Sequence, residues 1–82
     1  MDKNRLFWGS RRGMLELDLI LLPFVEQIYP TLDEEDKHRY HRLLEEQDQD
    51  LFAWLLKRTD PEDGELLKIV TIIRDTRSQI RR

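Results

Sequence analysis

The residue types best suited to bind a metal ion lie along one stripe of a predicted helix. Glu34, His38, His41 and Glu45 follow one another at positions i, i+4, i+7 and i+11. Imidazole and carboxylate groups bind divalent metals, so adjacent pairs of this stripe could chelate an ion. A single straight helix cannot wrap four ligands around one ion, and the sequence offers no second ligand-bearing helix. The pattern therefore favours a solvated charged face over a metal site.

Residues capable of nucleophilic or acid–base catalysis do not form a recognisable set. A hydroxyl nucleophile needs an adjacent base and a group that orients this base, but no serine or threonine lies near a histidine in the sequence. The chain has no cysteine, which excludes disulfides, thiolate metal ligands and cysteine nucleophiles. Glu16 and Asp18 are two positions apart and point to different faces of a helix. The sequence predicts a binding protein and not an enzyme.

Local preferences conflict in residues 11–18, which read RRGMLELD. Arginines, a glycine and two acids interrupt the most apolar stretch of the chain. One interpretation is a corner between two helices, in which Gly13 adopts an unusual backbone angle and Arg12 pairs with Glu16. The other is a binding surface, in which Gly13 leaves bare backbone between Arg12 and Glu16 that a partner can approach closely.

Charge argues against nucleic acid as the partner. Basic residues number 14 and acidic residues 17, so the net charge is −3 and no global field recruits phosphates. A basic stripe of Arg74, Arg77, Arg81 and Arg82 ends the chain. No aromatic residues interleave these arginines, so the stripe favours interaction with carbonyls at a helix C-terminus over binding to nucleic acid.

The length of 82 residues and the absence of linker-like stretches predict a single domain spanning residues 1–82. Apolar residues recur at helical spacing and strand patterns are missing, so the class is all-α. The longest apolar run, residues 19–22, is far shorter than the roughly 20 residues that span a bilayer. We expect a cytoplasmic protein that does not insert into membranes.

Five helices are predicted. The first spans about residues 3–12 and the second about residues 14–29, with a kink or local break at Pro23. The second is apolar on nearly all sides and should therefore lie in the centre of the fold.

The remaining helices are recognised by their N-terminal signals. Thr31 and Glu34 have the spacing of a capping box for a third helix. Asp48 or Asp50 can cap a short fourth helix. The pair Asp60-Pro61 opens a fifth, whose apolar side chains fall on one face: Leu66, Ile69, Val70, Ile73 and Ile80.

Residues 12–16, reading RGMLE, resemble the RGxxE motif of the succinate dehydrogenase assembly factors, the flavinylation factors of bacteria and mitochondria. Similarity to bacterial members extends to Pro23-Phe24, to residues 43–45 (LLE) and to residues 48–55 (DQDLFAWL). Many bacterial members have proline where this chain has Gln49. The resemblance covers most of the chain and implies a compact bundle of five helices.

The resemblance also implies a function. Such a protein binds the flavoprotein subunit of succinate dehydrogenase, or of fumarate reductase, and promotes covalent attachment of FAD to a histidine of that subunit. FAD is then the cofactor of the client, and the factor needs none of its own and is expected to be monomeric when free. Arg12, Gly13 and Glu16 match the motif, and Arg11 and Asp18 beside it are further candidates for partner binding. The alternative is an antitoxin-like or regulatory protein that binds a toxin or nucleic acid.

Overall fold

A computed structural model describes residues 3–80 of the chain. Five α-helices and two short 3₁₀ turns, at Tyr29–Thr31 and Arg77–Gln79, make up its regular structure, and the described residues contain no strand. The prediction of an all-α bundle of five helices is therefore confirmed. The helices are α1 (Lys3–Ser10), α2 (Leu15–Gln27), α3 (Glu34–Leu43), α4 (Asp48–Leu55) and α5 (Gly64–Thr76).

The core lies between α2 and the other helices. Helix α2 packs against α1, α4 and the first 3₁₀ turn, while α3 packs against α5. Among the described residues, fourteen apolar side chains are buried in one cluster, and every helix contributes to it. They are Leu6, Leu17, Ile20, Leu21, Phe24, Val25, Tyr40, Leu43, Leu51, Leu55, Leu66, Ile69, Val70 and Ile73.

Helix α2 is not buried on all sides, so the prediction that it occupies the centre of the fold holds only for one face. Leu15 and Leu19 are 68% and 58% exposed. Leu17 and Leu21 on the opposite face are fully buried. A chain of this length has too few helices to enclose one of them completely.

Pro23 does not interrupt α2, which runs continuously from Leu15 to Gln27. Proline removes one backbone donor, but Phe24 and Val25 directly after it are buried in the core and hold the helix in place. The chain leaves the helix at Ile28, whose N–H still bonds to the carbonyl of Phe24 at 2.8 Å. Pro30 then lies in the 3₁₀ turn.

The cap predicted for α3 is wrong. Asp33 is the N-cap, and its Oδ1 accepts a hydrogen bond from the backbone N–H of Asp36 at 2.8 Å. The hydroxyl of Thr31 instead donates to the carbonyl of Ile28 at 2.7 Å. Thr31 is the last residue of the 3₁₀ turn around Pro30, so its hydroxyl bonds back to Ile28 and Asp33 occupies the cap position.

The predicted caps of α4 and α5 are also wrong. Helix α4 begins after Gln47, and Asp48 lies in its first turn. Helix α5 is capped by Asp63, whose Oδ1 accepts from the N–H groups of Glu65 and Leu66 at 2.7 and 3.2 Å. None of the helices within residues 3–80 is long and apolar enough to cross a membrane.

Candidate functional site

Residues 11–14 connect α1 to α2, and Gly13 is the exposed turning point of this connection. Its φ is +78°, in the region that side-chain-bearing residues rarely adopt. A Cβ built on Gly13 would meet no atom within 4 Å. The backbone conformation therefore favours glycine at this position, and the space above it is open to a partner.

Arg12 points into the protein. Its Nε lies 2.7 Å from Oδ1 of Asp48, and its Nη1 and Nη2 donate to the carbonyls of Leu44 and Glu46, each at 2.7 Å. The side chain is only 16% exposed. The ion pair of Arg12 is therefore with Asp48, where sequence reasoning expected Glu16.

Asp18 also serves the conformation of this connection. Its Oδ1 accepts the backbone N–H of Arg12 at 2.7 Å, which ties the residue before Gly13 to the first turns of α2. The backbone of Arg12 is thus fixed by Asp18, and its side chain by the corner between α3 and α4.

The other predicted site residues, Arg11, Gly13 and Glu16, are exposed. The guanidinium carbon of Arg11 lies 5.5 Å from the ring centroid of Trp8, which is 62% exposed. Glu16 is next to the exposed Leu19 on the helix surface, because residues three apart are neighbours on a helix, and Leu15 is one turn before Leu19. We call Arg11, Gly13, Leu15, Glu16 and Leu19 the docking patch.

Sequence reasoning missed three contributors to this region. Leu15 and Leu19 were assigned to the core, although their spacing places them opposite Leu17 and Leu21 and could have revealed a second apolar face. Asp48 was assigned to a helix cap. It lies 36 positions from Arg12, and no local pattern connects the two residues.

The stripe of Glu34, His38, His41 and Glu45 is not assembled into a metal site. Within residues 3–80, no three His, Cys, Asp or Glu side chains are grouped so that they could hold a metal ion. Nε2 of His41 lies 2.8 Å from the hydroxyl of Tyr29, and burial lowers the pKa of His41. Glu34 lies 3.8 Å from Nζ of Lys37.

Arg74, the first residue of the basic stripe, performs a structural task. Arg74 is 13% exposed, and its Nε and Nη2 donate to the carbonyls of Trp54 and Thr59 at 2.8 and 3.0 Å. Its Nη1 lies 2.9 Å from Asp60, the residue predicted to cap α5. Arg74 therefore caps the C-terminal end of α4 and not that of its own helix. Arg81 and Arg82 lie outside the described residues.

Comparison with known proteins gives a consistent result. A family model described as "Flavinator of succinate dehydrogenase" matches residues 4–77. The chain is 58% identical over 74 residues to the FAD assembly factor SdhE of Pseudomonas putida, covering 90% of this chain and 88% of that protein. The protein of the same name from Pseudomonas aeruginosa is 55% identical with the same coverage. That from Pectobacterium atrosepticum is 46% identical over 72 residues, covering 88% of this chain and 82% of that protein.

Proposed function

Because the chain belongs to the family of flavinators of succinate dehydrogenase, we propose that its docking patch binds the flavoprotein subunit of that enzyme while FAD is attached. The resemblance identified from residues 12–16 is confirmed, and with it the role of an assembly factor in flavinylation. The proposal adds the surface that performs this role and the residues that form it. The flavoprotein subunit of fumarate reductase is the second client that we propose.

One observation carries the proposal: charged, apolar and bare backbone surfaces meet at the start of α2. Leu15 and Leu19 are among the most exposed large apolar side chains of the described residues, and the exposed Glu16 is next to Leu19 on the same helix. Exposed apolar groups beside a directed charge are typical of interfaces, where the apolar groups supply burial and the charge fixes orientation. Gly13 adds a place where a partner can approach the backbone without meeting a side chain.

The factor acts on the conformation of its client and supplies no reacting group. In this mechanism the docking patch holds the domains of the flavoprotein in a geometry in which the client's own histidine attacks FAD. Holding reacting groups in place can lower a barrier by several kcal/mol, and a partner that binds one conformation preferentially increases its population. The role is therefore that of a chaperone and not of an enzyme.

Binding of nucleic acid is less well supported than it was from sequence. Arg74 is already engaged with two carbonyls and Asp60, so the basic stripe loses one of its predicted phosphate contacts. The family to which the chain belongs also favours a protein client over a toxin or nucleic acid.

The proposal is tested by placing a large or a small side chain at Gly13. Purified flavoprotein subunit, FAD and the factor are mixed, and covalent flavin is measured by fluorescence of the denatured subunit in a gel. Gly13→Arg should abolish complex formation and reduce covalent flavin to the level without factor. Gly13→Asn is the matched control, because asparagine tolerates positive φ and is small, and it should retain most of the activity.

Circular dichroism must show that both variants are helical. Normal flavinylation with the folded Gly13→Arg variant would place the client elsewhere on the surface and contradict the proposal. Equal loss with both variants would point to the backbone at Gly13 and not to the open space above it.

A further inference from the structure

The side chain of Arg12 contacts three oxygen atoms from distant parts of the chain, which together we call the anchor. Three nitrogens of the planar guanidinium each have an oxygen partner at 2.7 Å. Two partners are carbonyls between α3 and α4, and the third is Asp48 at the start of α4. Arginine is suited to such a site because its donors have fixed directions. Lysine carries the same charge but only a single nitrogen, so it cannot reproduce these three contacts.

The anchor lies at the C-terminal end of α3, which favours a positive charge. Leu44 is the C-cap of α3, and the last carbonyls of a helix have no partners within it. Negative partial charge collects at this end, and Asp48 in the first turn of α4 adds a full charge. Arg12 therefore connects the α1–α2 connection to the corner between α3 and α4.

This arrangement leaves Arg12 poorly placed for contact with a client. Its side chain is mostly buried, and each of its nitrogens already donates to an oxygen of the same chain. Gly13, the next residue, carries the exposed backbone of the docking patch. A substitution at Arg12 should therefore affect client binding by moving Gly13.

We propose that Arg12 is a positioning residue. By binding the anchor, which consists of Asp48 and the carbonyls of Leu44 and Glu46, it fixes the position of Gly13 in the docking patch. The inference rests on the proposed function, since it explains how one part of the motif serves that surface. It assigns a role in client binding to Asp48, which lies outside residues 12–16.

The test compares two arginines that make similar contacts at different corners of the fold. Arg12→Lys removes contacts between residue 12 and the anchor. Arg74→Lys is the matched control, because Arg74 also donates to two carbonyls and pairs with an aspartate, but at the connection between α4 and α5. Thermal unfolding is followed by circular dichroism, and Kd for the purified flavoprotein subunit is measured at a temperature where both variants are folded.

Both substitutions should lower the melting temperature, but only Arg12→Lys should weaken client binding, by about tenfold or more, which corresponds to roughly 1.4 kcal/mol or more. Covalent flavin should return to the wild-type level when the Arg12→Lys factor is saturating, because the groups that touch the client are intact. An unchanged Kd, an equal weakening by Arg74→Lys, or a yield that saturation does not restore would each overturn the proposal.

Asp48→Asn is a second test of the anchor, because it keeps a hydrogen-bond acceptor and removes the negative charge. It should weaken binding less than Arg12→Lys does. In the Arg12→Lys background the same change should have a much reduced effect on Kd, because residues that act through one contact are not additive. Fully additive effects would show that the two residues act separately and contradict the proposal.

Comparison with Gly13→Arg distinguishes a failure of the positioning role of Arg12 from a failure of the docking patch. If Gly13→Arg abolishes binding while Arg12→Lys leaves it unchanged, only the positioning role fails. If neither variant affects binding, the docking patch itself is wrong.

Discussion

Ser10 and Tyr40 form a buried polar pair between α1 and α3. The hydroxyl of Ser10 donates to the carbonyl of Leu6 at 2.8 Å and lies 2.7 Å from the hydroxyl of Tyr40. A serine has one proton to donate, so Tyr40 is the donor within the pair. Burial raises the pKa of Tyr40, although the hydrogen bond with Ser10 acts in the opposite direction. Tyr40 therefore keeps its proton and holds α1 against α3, directly before the connection that carries Gly13.

This pair predicts an asymmetry between two substitutions. Tyr40→Phe removes one hydrogen bond and leaves Ser10 bonded to Leu6, so it should destabilise the protein by about 1 kcal/mol. Ser10→Ala leaves the buried hydroxyl of Tyr40 without its partner and should cost about 1 to 3 kcal/mol. Urea unfolding monitored by circular dichroism measures both.

The double variant provides the control for this prediction. Adding Tyr40→Phe to Ser10→Ala should recover part of the lost stability, because no unpaired hydroxyl remains. A Ser10→Ala variant as stable as Tyr40→Phe would show that water or a shift of the helices satisfies Tyr40.

At the same scale, the sequence predicts the backbone of Gly13 but not the partner of Arg12. A glycine between two apolar helices indicates a turn, and its φ of +78° agrees with that interpretation. Pairing of Arg12 with Glu16 relies on their spacing of one helical turn, whereas α2 begins only at Leu15. Arg12 therefore precedes the helix, and a residue 36 positions away in sequence is its partner.

At the scale of elements, α2 serves two surfaces at once. Leu17, Leu21 and Phe24 are fully buried, while Leu15 and Leu19 face outwards. An apolar residue on the buried face affects mainly folding. One on the exposed face has little to contribute to folding and is available for a partner.

Substitution of an exposed apolar residue of α2 should weaken binding to the client without lowering the stability of the fold. Leu19→Gln should weaken binding to the flavoprotein subunit by about 5- to 30-fold, as removal of an apolar interface anchor costs about 1 to 2 kcal/mol. Its free energy of unfolding should change by no more than about 0.5 kcal/mol, because the side chain is 58% exposed. Titration calorimetry and urea unfolding measure the two quantities.

Lys68→Gln is the control, since it introduces the same side chain on the exposed surface of α5. It should leave Kd unchanged. Unaltered binding by Leu19→Gln would remove Leu19 from the docking patch.

The sequence predicts the number of helices and their buried faces better than it predicts their caps. Periodicity identified the face of α5 because four buried positions, Leu66, Ile69, Val70 and Ile73, repeat at helical spacing. Asp60 and Asp63 both satisfy the local rules for an N-cap, and contacts with other elements decide between them. Asp60 pairs with Arg74, while Asp63 caps α5.

At the scale of the whole molecule, the balance of charge determines how much long-range attraction contributes to client binding. The net charge is only −3, and basic and acidic residues are mixed along the chain. Several of the described arginines, including Arg12 and Arg74, are paired with acids of the same chain. Long-range attraction is therefore weak, and the affinity should come from short-range contacts at the docking patch.

This balance predicts a complex that tolerates salt. Raising the salt concentration from about 0.05 to about 0.5 M shortens the screening length to roughly 4 Å, which suppresses long-range attraction and leaves packed contacts largely intact. Kd for the flavoprotein subunit should therefore rise by less than about tenfold. A complex held by phosphate contacts would weaken by about 10³-fold or more over a similar range. Kd measured at several salt concentrations distinguishes the two, and a steep dependence would contradict a docking patch in which Leu15 and Leu19 supply much of the affinity.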